Sequence, residues 1–305
     1  MADPSRLVLV SAPPTRLPEL PRKHLEAPDV PSGARPLAHL HPLQKLMSIL
    51  RENRAAVGGV MLGASSLTLA SCANVGTPTT SFGAAPRDLD GVKVTLAPRN
   101  ASPAQQLAHY EKIIEAMGGR LSVGRTHVLG LRGLAQNGTL RDTVADGSSM
   151  RDTFVVLRKG SNGSAHVQHF RGSSYPGQAR SGASPDVNGD GVGDVGMIRE
   201  GRYRAVPNGD HSGKPSYHVL TPGGAGRLPG VRDTDHDGRH SASEWERSRA
   251  RGDTLGAVLF HRAATDGSVS SIGCMNVPEI DEFVSSVGST GASFDFTLVN
   301  ALRRE

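Results

Sequence analysis

Cysteine and aromatic residues are scarce in this chain of 305 residues. It contains two cysteines, and Phe, Trp and Tyr together make up 4% of it, whereas there are 37 Gly and 20 Pro. A pair of cysteines in a secreted protein suggests a disulfide, but Cys72 and Cys274 lie in separate motifs, so we assign them separate functions. The low aromatic and high Gly and Pro content favours a loop-rich β or α+β fold over a helical bundle.

A concentrated basic surface is also lacking. The chain has 34 Lys and Arg against 29 Asp and Glu, a net charge of +5, and residues 73–305 hold 26 against 24, a balance of +2. Binding to nucleic acid requires a concentrated basic face, and no basic stripe is interleaved with aromatic residues here. We therefore expect no nucleic-acid partner.

The first 90 residues are predicted to direct the protein to the cell envelope. Residues 1–46 hold nine prolines and show no apolar periodicity, so we expect disorder there; a start at Met47 is an alternative. Residues 47–72 combine nearby basic residues with an uncharged apolar stretch and end in Leu-Ala-Ser-Cys, as in a lipoprotein signal peptide. That similarity implies a lipid on Cys72. Residues 73–90 are predicted to be a linker.

These features predict a bacterial envelope protein that faces the periplasm and is attached to the membrane by its lipid. The alternative for residues 47–72 is a transmembrane helix. A helix that spans a bilayer needs about 20 apolar residues, whereas the uncharged run from Ala55 to Ser71 is shorter and rich in Gly, Ser and Ala. The lipid anchor is therefore the favoured interpretation.

The remaining chain is predicted to be mainly β. Residues 91–151 are expected to form a small α/β preface with a helix that Ser102 caps and Pro103 begins. From residue 152 onward, short apolar segments alternate with Gly and Pro. Phe294, Phe296 and Leu298 alternate with Asp295, Thr297 and Val299, which is the period of a half-buried strand. We expect residues 152–305 to form a sandwich or barrel with a few short helices.

A histidine and a cysteine are placed as in a nucleophile–base pair. An apolar segment ends in His261, and residues 271–276 are Ser-Ile-Gly-Cys-Met-Asn. A helix is predicted from Pro278, so Cys274 is expected just ahead of a helix N-terminus, where a thiolate is stabilised. A histidine in reach could activate the thiol, and Gly273 would let backbone N–H groups form an oxyanion hole. The alternative is a buried structural thiol.

This arrangement resembles the catalytic domain of the L,D-transpeptidases (YkuD-type fold), whose signature is a histidine after a strand and then Ser/Thr-His-Gly-Cys, an apolar residue, and Asn or Arg. The matching residues are His261, Ser271, Gly273, Cys274, Met275 and Asn276. Residues 201–203 are similar to the family's Gly-x-Tyr strand, and the resemblance covers about residues 152–287. Ile272 replaces the usual histidine, Arg262-Ala263 replaces Gly-Thr, and the loop between His261 and Cys274 is shorter than usual.

The resemblance implies acyl transfer on peptidoglycan stem peptides, which would be the partner. His261 would deprotonate Cys274, and the thiolate would attack the carbonyl of the third stem residue and release D-Ala. An amine of a second stem, or water, would then resolve the thioester. The resemblance also implies that Gly273 helps to bind the oxyanion and that Ser271 orients the histidine or the substrate. Asn276 would brace the loop, and Tyr203 and His218 would line the substrate groove.

Two alternative functions stay open at this stage. A hydrolase of the same fold, either an L,D-carboxypeptidase or a toxin against neighbouring cells, would use water in place of the acceptor amine. The shortened loop before Cys274 gives this alternative weight. A calcium-stabilised envelope lipoprotein without catalytic activity would instead leave the Cys274 thiol inert.

An acidic segment predicts a calcium site. Residues 233–244, here the Asp233 loop, fit the pattern D-x-D-x-D-G-x5-E, in which carboxylates at positions one, three and five converge on a cation and the last Glu can bind through both oxygens. The predicted ligands are Asp233, Asp235, Asp237, the carbonyl of Arg239, Ser241 and Glu244. Pro229 and Gly230 precede the loop in place of an entering helix, so it is EF-hand-like only. A zinc site on His236 and His240 is the less favoured alternative.

Residues 186–197, here the Asp186 loop, resemble the same pattern. The predicted ligands are Asp186, Asn188, Asp190 and Asp194, whereas Met197 stands at position twelve, where a bidentate Glu is expected. Asp, Asn and Gly also favour tight turns, so a simple turn cluster is the alternative. We therefore expect one or two structural calcium ions.

Overall fold

The computed structural model describes residues 86–141 and 150–302. The predictions for residues 1–46, for the signal peptide with Cys72 and for most of the linker lie outside these ranges. The described residues are 37% strand and 15% helix, so the predicted mainly β class is confirmed. None of the three helices in the described ranges has the length and hydropathy of a membrane-spanning helix.

Thirteen strands and three helices are found in the described residues. The strands are β1 Asp88–Leu89, β2 Val92–Lys93, β3 Thr126–Arg132, β4 Asp152–Lys159, β5 Ala165–Gly172, β6 Gly196–Ile198, β7 Gly201–His211, β8 Lys214–Leu220, β9 Leu228–Arg232, β10 Thr254–Leu255, β11 Leu259–Arg262, β12 Met275–Val277 and β13 Phe294–Asn300. The helices are α1 Pro103–Ala116, α2 Ala242–Arg251 and α3 Ile280–Val287.

Eight strands form one nearly closed, barrel-like sheet. Their order is β12-β11-β8-β7-β13-β3-β4-β5, with β11 parallel to β12 and β13 parallel to β3. The two edges meet where Ser173, the residue after β5, pairs with Asn276 of β12 through backbone hydrogen bonds of 3.0 and 2.8 Å. This bridge covers the β12 edge, which would otherwise present unpaired backbone groups.

The interior of the sheet is filled largely by phenylalanine. Phe260 of β11 lies at the centre of this core, and its ring centroid is 4.9–5.5 Å from those of Phe154, Phe283, Phe294 and Phe296. A chain with few aromatic residues thus concentrates them in one cluster, where each ring–ring contact stabilises the core beyond the gain from buried area. Phe260 and Met275 both belong to this core. Because side chains alternate along a strand, their neighbours in β11 and β12 face outward.

The helix predicted after residue 102 is confirmed. Ser102 Oγ accepts the Gln105 N–H at 3.3 Å, and the Gln105 side chain accepts the Ser102 N–H at 2.9 Å, which is a capping box. The buried side of α1 packs in a second apolar cluster with residues of β3 and β4. Since β3 lies between β13 and β4, the segment predicted as a preface supplies a central strand of the large sheet.

A small sheet carries the two acidic loops. Its strand order is β10-β9-β6, and Gly196 of β6 pairs with Arg232 of β9 in an antiparallel arrangement. The Asp186 loop leads into β6, and the Asp233 loop follows β9. The antiparallel pairing therefore brings the two loops to the same end of this sheet.

Candidate functional site

The Ser271 hydroxyl folds the segment before the cysteine, residues 270–274, here the Cys274 loop. Its Oγ accepts the N–H of Gly273 at 2.9 Å and also the N–H of Cys274, and it donates to the Cys274 carbonyl at 3.2 Å. Both amides expected to bind an oxyanion are thus bonded to Ser271 in this conformation. Ser271 acts here on the backbone of the loop.

Asn276 joins the two ends of the Cys274 loop. Its Oδ1 accepts the N–H and the hydroxyl of Ser270, both at 3.2 Å, and its Nδ2 donates to the Cys274 carbonyl at 3.3 Å. The residue is fully buried. The position of the cysteine backbone therefore depends on this amide.

Gly273 is required where the Cys274 loop lies against the small sheet. Its φ is 154°, and a Cβ atom there would be 2.7 Å from the Gly196 carbonyl oxygen and 2.8 Å from Leu255 Cδ2. The Gly196 N–H donates to the Ile272 carbonyl at 3.5 Å. Only glycine permits so close an approach, and the loop consequently rests directly on β6 and β10.

The Cys274 thiol is half-buried and bonded to the backbone near the start of β11. Sγ accepts the Leu259 N–H at 3.4 Å and donates to the Ala257 carbonyl at 3.8 Å. Burial raises the pKa of the Cys274 thiol, and the Leu259 N–H and the Ser271 hydroxyl oppose this rise only in part. The thiol is accordingly neutral at rest near pH 7.

The expectation that Cys274 lies just ahead of a helix was wrong. The three residues after it form β12 and pair with β11, and α3 begins only at Ile280. The strand separates the thiol from the helix N-terminus, and the influence of a helix dipole is confined to its first turn. The backbone N–H of Leu259 supplies the donor to sulfur in place of the helix.

His261 is held in one tautomer. Because a carbonyl can only accept, the 2.7 Å contact between Nδ1 and the Arg262 carbonyl places the proton on Nδ1 and leaves Nε2 as an acceptor. Burial lowers the pKa of His261; the Arg262 carbonyl raises it, and His211 lowers it further. The His211 ring lies 4.8 Å from that of His261, centroid to centroid. No motif in the sequence singled out His211, because this contact depends on the pairing of distant strands.

Cys274 and His261 share one face of the sheet. In the parallel pairing of β11 with β12, His261 lies beside Asn276, so Cys274 lies beside Leu259, two residues earlier. Side chains two residues apart point to the same side. In the described residues no hydrogen bond joins Cys274 to His261. The structure brings the pair to one outward face without a hydrogen bond between them, and catalytic hydrogen bonds are often long or poorly aligned in substrate-free sites.

The two predicted groove residues differ in position. His218 of β8 pairs with Leu259, so it extends the row that contains Cys274, and its Nε2 is buried without a hydrogen-bond partner. Tyr203 instead packs in the interior core, 5.9 Å from the Phe296 ring, and its hydroxyl donates to the Arg199 carbonyl at 2.7 Å. The structure thus gives Tyr203 a packing position away from the outer face.

Two surface cavities lie elsewhere. One of about 430 Å³ is lined by residues that include Arg99, Gln106 and His169, and another of about 500 Å³ by residues that include Arg125 and Arg158. Neither is lined by Cys274 or His261. They therefore add nothing to the chemistry of the cysteine site.

Three of the predicted ligands converge in the Asp233 loop. The ligand oxygens of Asp233, Asp235 and Asp237 all lie within 4.8 Å of one another. Asp233 is fully buried; its Oδ2 accepts the Gly238 N–H at 2.9 Å, whereas its Oδ1 has no hydrogen-bond partner. Burial, followed by the charges of Glu244, Asp237 and Asp235, raises the pKa of Asp233 to about 7. Such an orphaned carboxylate oxygen fits a divalent cation.

The other predicted ligands of this loop make local hydrogen bonds. The two carboxylate oxygens of Glu244 accept the N–H groups of Thr234 at 2.5 Å and Ser241 at 2.9 Å, and Ser241 Oγ caps α2 through the Glu244 N–H at 3.3 Å. The Arg239 N–H donates to Asp237 at 2.7 Å. Of the alternative zinc ligands, His236 faces Asp190 of the other loop at 3.2 Å, and the converging group found in the described ranges contains no histidine.

The Asp186 loop has the same conformation as the Asp233 loop. In each loop the side chain at position one accepts the N–H of position six, at 2.9 Å in both. The side chain at position three accepts the N–H of position five, at 3.3 Å in the Asp233 loop and 3.2 Å in the Asp186 loop. The side chain at position five accepts the N–H of position seven, at 2.7 and 2.8 Å in the same order. Positions four and six have positive φ in both, as the values for His236 (60°), Gly238 (80°), Gly189 (80°) and Gly191 (89°) demonstrate. The alternative of an unrelated turn cluster is thus less favoured.

Comparisons of the chain with protein-family models, with curated proteins and with solved structures found no match. The resemblance to the L,D-transpeptidases therefore rests on the motif residues given above, and membership of that family stays a prediction.

Proposed function

We propose that this protein is a cysteine acyltransferase of the L,D-transpeptidase type that acts on peptidoglycan stem peptides. The observation that carries the proposal is the parallel pairing of β11 with β12, which puts Cys274 and His261 on one outward face. This geometry supports a nucleophile and a base from two adjacent strands, in addition to the motif around Cys274.

The local chemistry supports a neutral resting pair that substrate activates. His261 Nε2 is the available acceptor, because Nδ1 is bonded to the Arg262 carbonyl. It can take the thiol proton when substrate binding brings Cys274 and His261 into hydrogen-bond contact. The Leu259 N–H on Cys274 Sγ stabilises the thiolate that results. The thiolate attacks the stem carbonyl, D-Ala leaves with the proton from His261, and an amine or water cleaves the thioester. The lipid anchor on Cys72, proposed from its motif alone, would hold this site in the envelope.

The test uses the purified full chain, a disaccharide-tetrapeptide and mass spectrometry of the products. A crosslinked dimer that is lost in Cys274→Ala and kept in Cys72→Ser, the matched cysteine control, is the expected result. A tripeptide alone would assign a hydrolase. No product from a folded wild-type protein contradicts the acyltransferase proposal for this substrate and favours the non-catalytic alternative.

A second proposed function, calcium binding at the Asp233 loop, is favoured by a specific observation. The buried Asp233 Oδ1 lacks a partner and lies among converging carboxylates. At a free calcium concentration 100 times the dissociation constant, binding would raise the free energy of unfolding by about 2.7 kcal/mol. Titration calorimetry should detect binding to the wild type and its loss in Asp233→Asn. Equal heats from both proteins contradict the assignment.

A further inference from the structure

We propose that the Asp186 loop is a second divalent-cation site, paired with the Asp233 loop, and that the filled pair holds the Cys274 loop in place. The inference rests on the proposed calcium site of the Asp233 loop and adds both a second ion and its effect on the cysteine. It is carried by a buried carboxylate, by contacts between the loops and by the packing of β6 on the Cys274 loop.

The first observation is the carboxylate of Asp194 at position nine. Asp194 is fully buried, and its Oδ2 accepts the Val187 N–H at 2.6 Å, so the carboxylate points into its own loop. Its Oδ1 has no hydrogen-bond partner and lies 3.7 Å from His236 Nε2, which forms an ion pair with it only when the imidazole is protonated. A buried carboxylate oxygen that accepts no hydrogen bond is costly. A calcium ion bound by Asp194, Asp186 and Asp190 would satisfy it, and it would offset the absence of a Glu at position twelve.

The second observation is direct contact between the loops. Asn188 Nδ2 of the Asp186 loop donates to the Thr234 carbonyl of the Asp233 loop at 2.8 Å. In return, His236 of the Asp233 loop reaches Asp190 at 3.2 Å. These contacts link positions two and four of the Asp233 loop to positions three and five of the Asp186 loop. Ordering of one loop by an ion lowers the entropy cost of ordering its neighbour, so the two ions should bind with positive cooperativity.

The third observation connects the loops to the cysteine. Val195 alone separates Asp194 from Gly196 along the chain, and its carbonyl accepts the Asp233 N–H at 3.0 Å. Gly196 in turn donates to Ile272 and lies under Gly273, as described above. The two ions, one at Asp194 and one at Asp233, therefore fix Val195 from two sides and with it the strand on which the Cys274 loop rests. Loss of the ions should loosen that loop first, because local opening begins where few contacts remain.

The experiment measures calcium stoichiometry and thiol reactivity in the full chain with Cys72→Ser, so that Cys274 is the only thiol. Equilibrium dialysis should give two calcium ions per chain for this protein and one for the added change Asp194→Asn. Calcium removal by a chelator should raise the rate of Cys274 alkylation by iodoacetamide several-fold, and Asp194→Asn should raise it in the presence of calcium. Glu246→Gln, an exposed acid on α2, is the matched control and should change neither readout.

The outcomes separate the parts of the proposal. The second site is overturned if the parent protein and Asp194→Asn each bind one calcium ion and Asp233→Asn binds none. That result leaves the Asp233 site intact. No ion in any protein overturns both sites. If two calcium ions bind but the Cys274 alkylation rate is the same with and without calcium, the connection to Cys274 is overturned. The absence of bound calcium and a calcium-independent alkylation rate can both be observed with the parent protein alone. The proposal is therefore tested even if Asp194→Asn fails to fold. Neither readout needs peptidoglycan, so failure of the acyltransferase proposal remains distinguishable.

Discussion

Replacement of Asn276 by alanine tests whether the Cys274 loop is held by a single side chain. The change removes three hydrogen bonds, two from Ser270 and one to the Cys274 carbonyl. Each such bond contributes about 1 kcal/mol. Ser270 is exposed and can turn to water, whereas the position of Asn276 is fully buried. We therefore expect Asn276→Ala to lower the free energy of unfolding by about 2 kcal/mol.

Urea denaturation measures this loss directly. With a slope of about 2 kcal/mol per molar urea, the midpoint should fall by about 1 M with little change in slope. The alkylation rate of Cys274 should rise in parallel, because the cysteine carbonyl loses its anchor. Asn162→Ala, in an exposed turn between β4 and β5, is the matched control and should move the midpoint far less. An Asn276→Ala midpoint equal to that of Asn162→Ala, with unchanged alkylation, would refute the bracing role.

Asn276→Asp separates the hydrogen-bond argument from packing. It keeps the shape and the acceptor oxygen but loses the donor to Cys274 and places a carboxylate in a buried position. A charge buried without a partner is costly, so this variant should lose more stability at pH 7 than at pH 4 relative to wild type. A loss that is equal at both pH values would show that the site is open to water.

Three further predictions concern other parts of the chain. Gly273→Ala should cost about 2–4 kcal/mol in urea denaturation, because its φ is unfavourable for alanine and its Cβ would overlap Gly196; wild-type stability would contradict the close packing. Burial lowers the pKa of His127 to about 4, below its unfolded value. Its contribution is therefore present above pH 6.5 and lost as the pH falls towards 4, about 2 kcal/mol between pH 7.5 and 5, and His127→Gln should remove that part of the acid sensitivity. An unchanged difference between the two pH values would count against it. Alkylation of Cys274 in Cys72→Ser should accelerate up to a pH above the usual thiol range; a constant rate from pH 6 to 8 would instead indicate a thiolate–imidazolium pair.

Local patterns in the sequence were sufficient where all the interacting groups lie within a few residues. Ser102 and Gln105 form the predicted cap of α1 because both partners belong to one turn. The two acidic loops adopt one hydrogen-bond scheme for the same reason, since every donor and acceptor lies within five residues of its partner. The strand at residues 294–299 also follows from alternation alone.

The candidate site was predictable in its residue types but not in its geometry. The motif singled out Cys274, His261, Ser271 and Asn276 from spacing. It did not indicate that β12 separates Cys274 from α3, or that Ser271 holds the two amides of its own loop. β12 was not predicted because three residues carry too short a pattern to be recognised, and this strand forms only through its pairing with β11 and Ser173.

The sequence by itself determined the β class, the start of α1 and the hydrogen-bond scheme of the acidic loops, because each depends on contacts between near neighbours in the chain. It also singled out the residues of the candidate site by their spacing. Only the tertiary structure decided that β11 and β12 run in parallel, that Cys274 and His261 therefore lie on one face, and that the two acidic loops meet at one end of the small sheet on which the Cys274 loop rests. These features depend on strand order and on packing between segments far apart in sequence, where the entropy of closing long loops must be offset by the whole core at once.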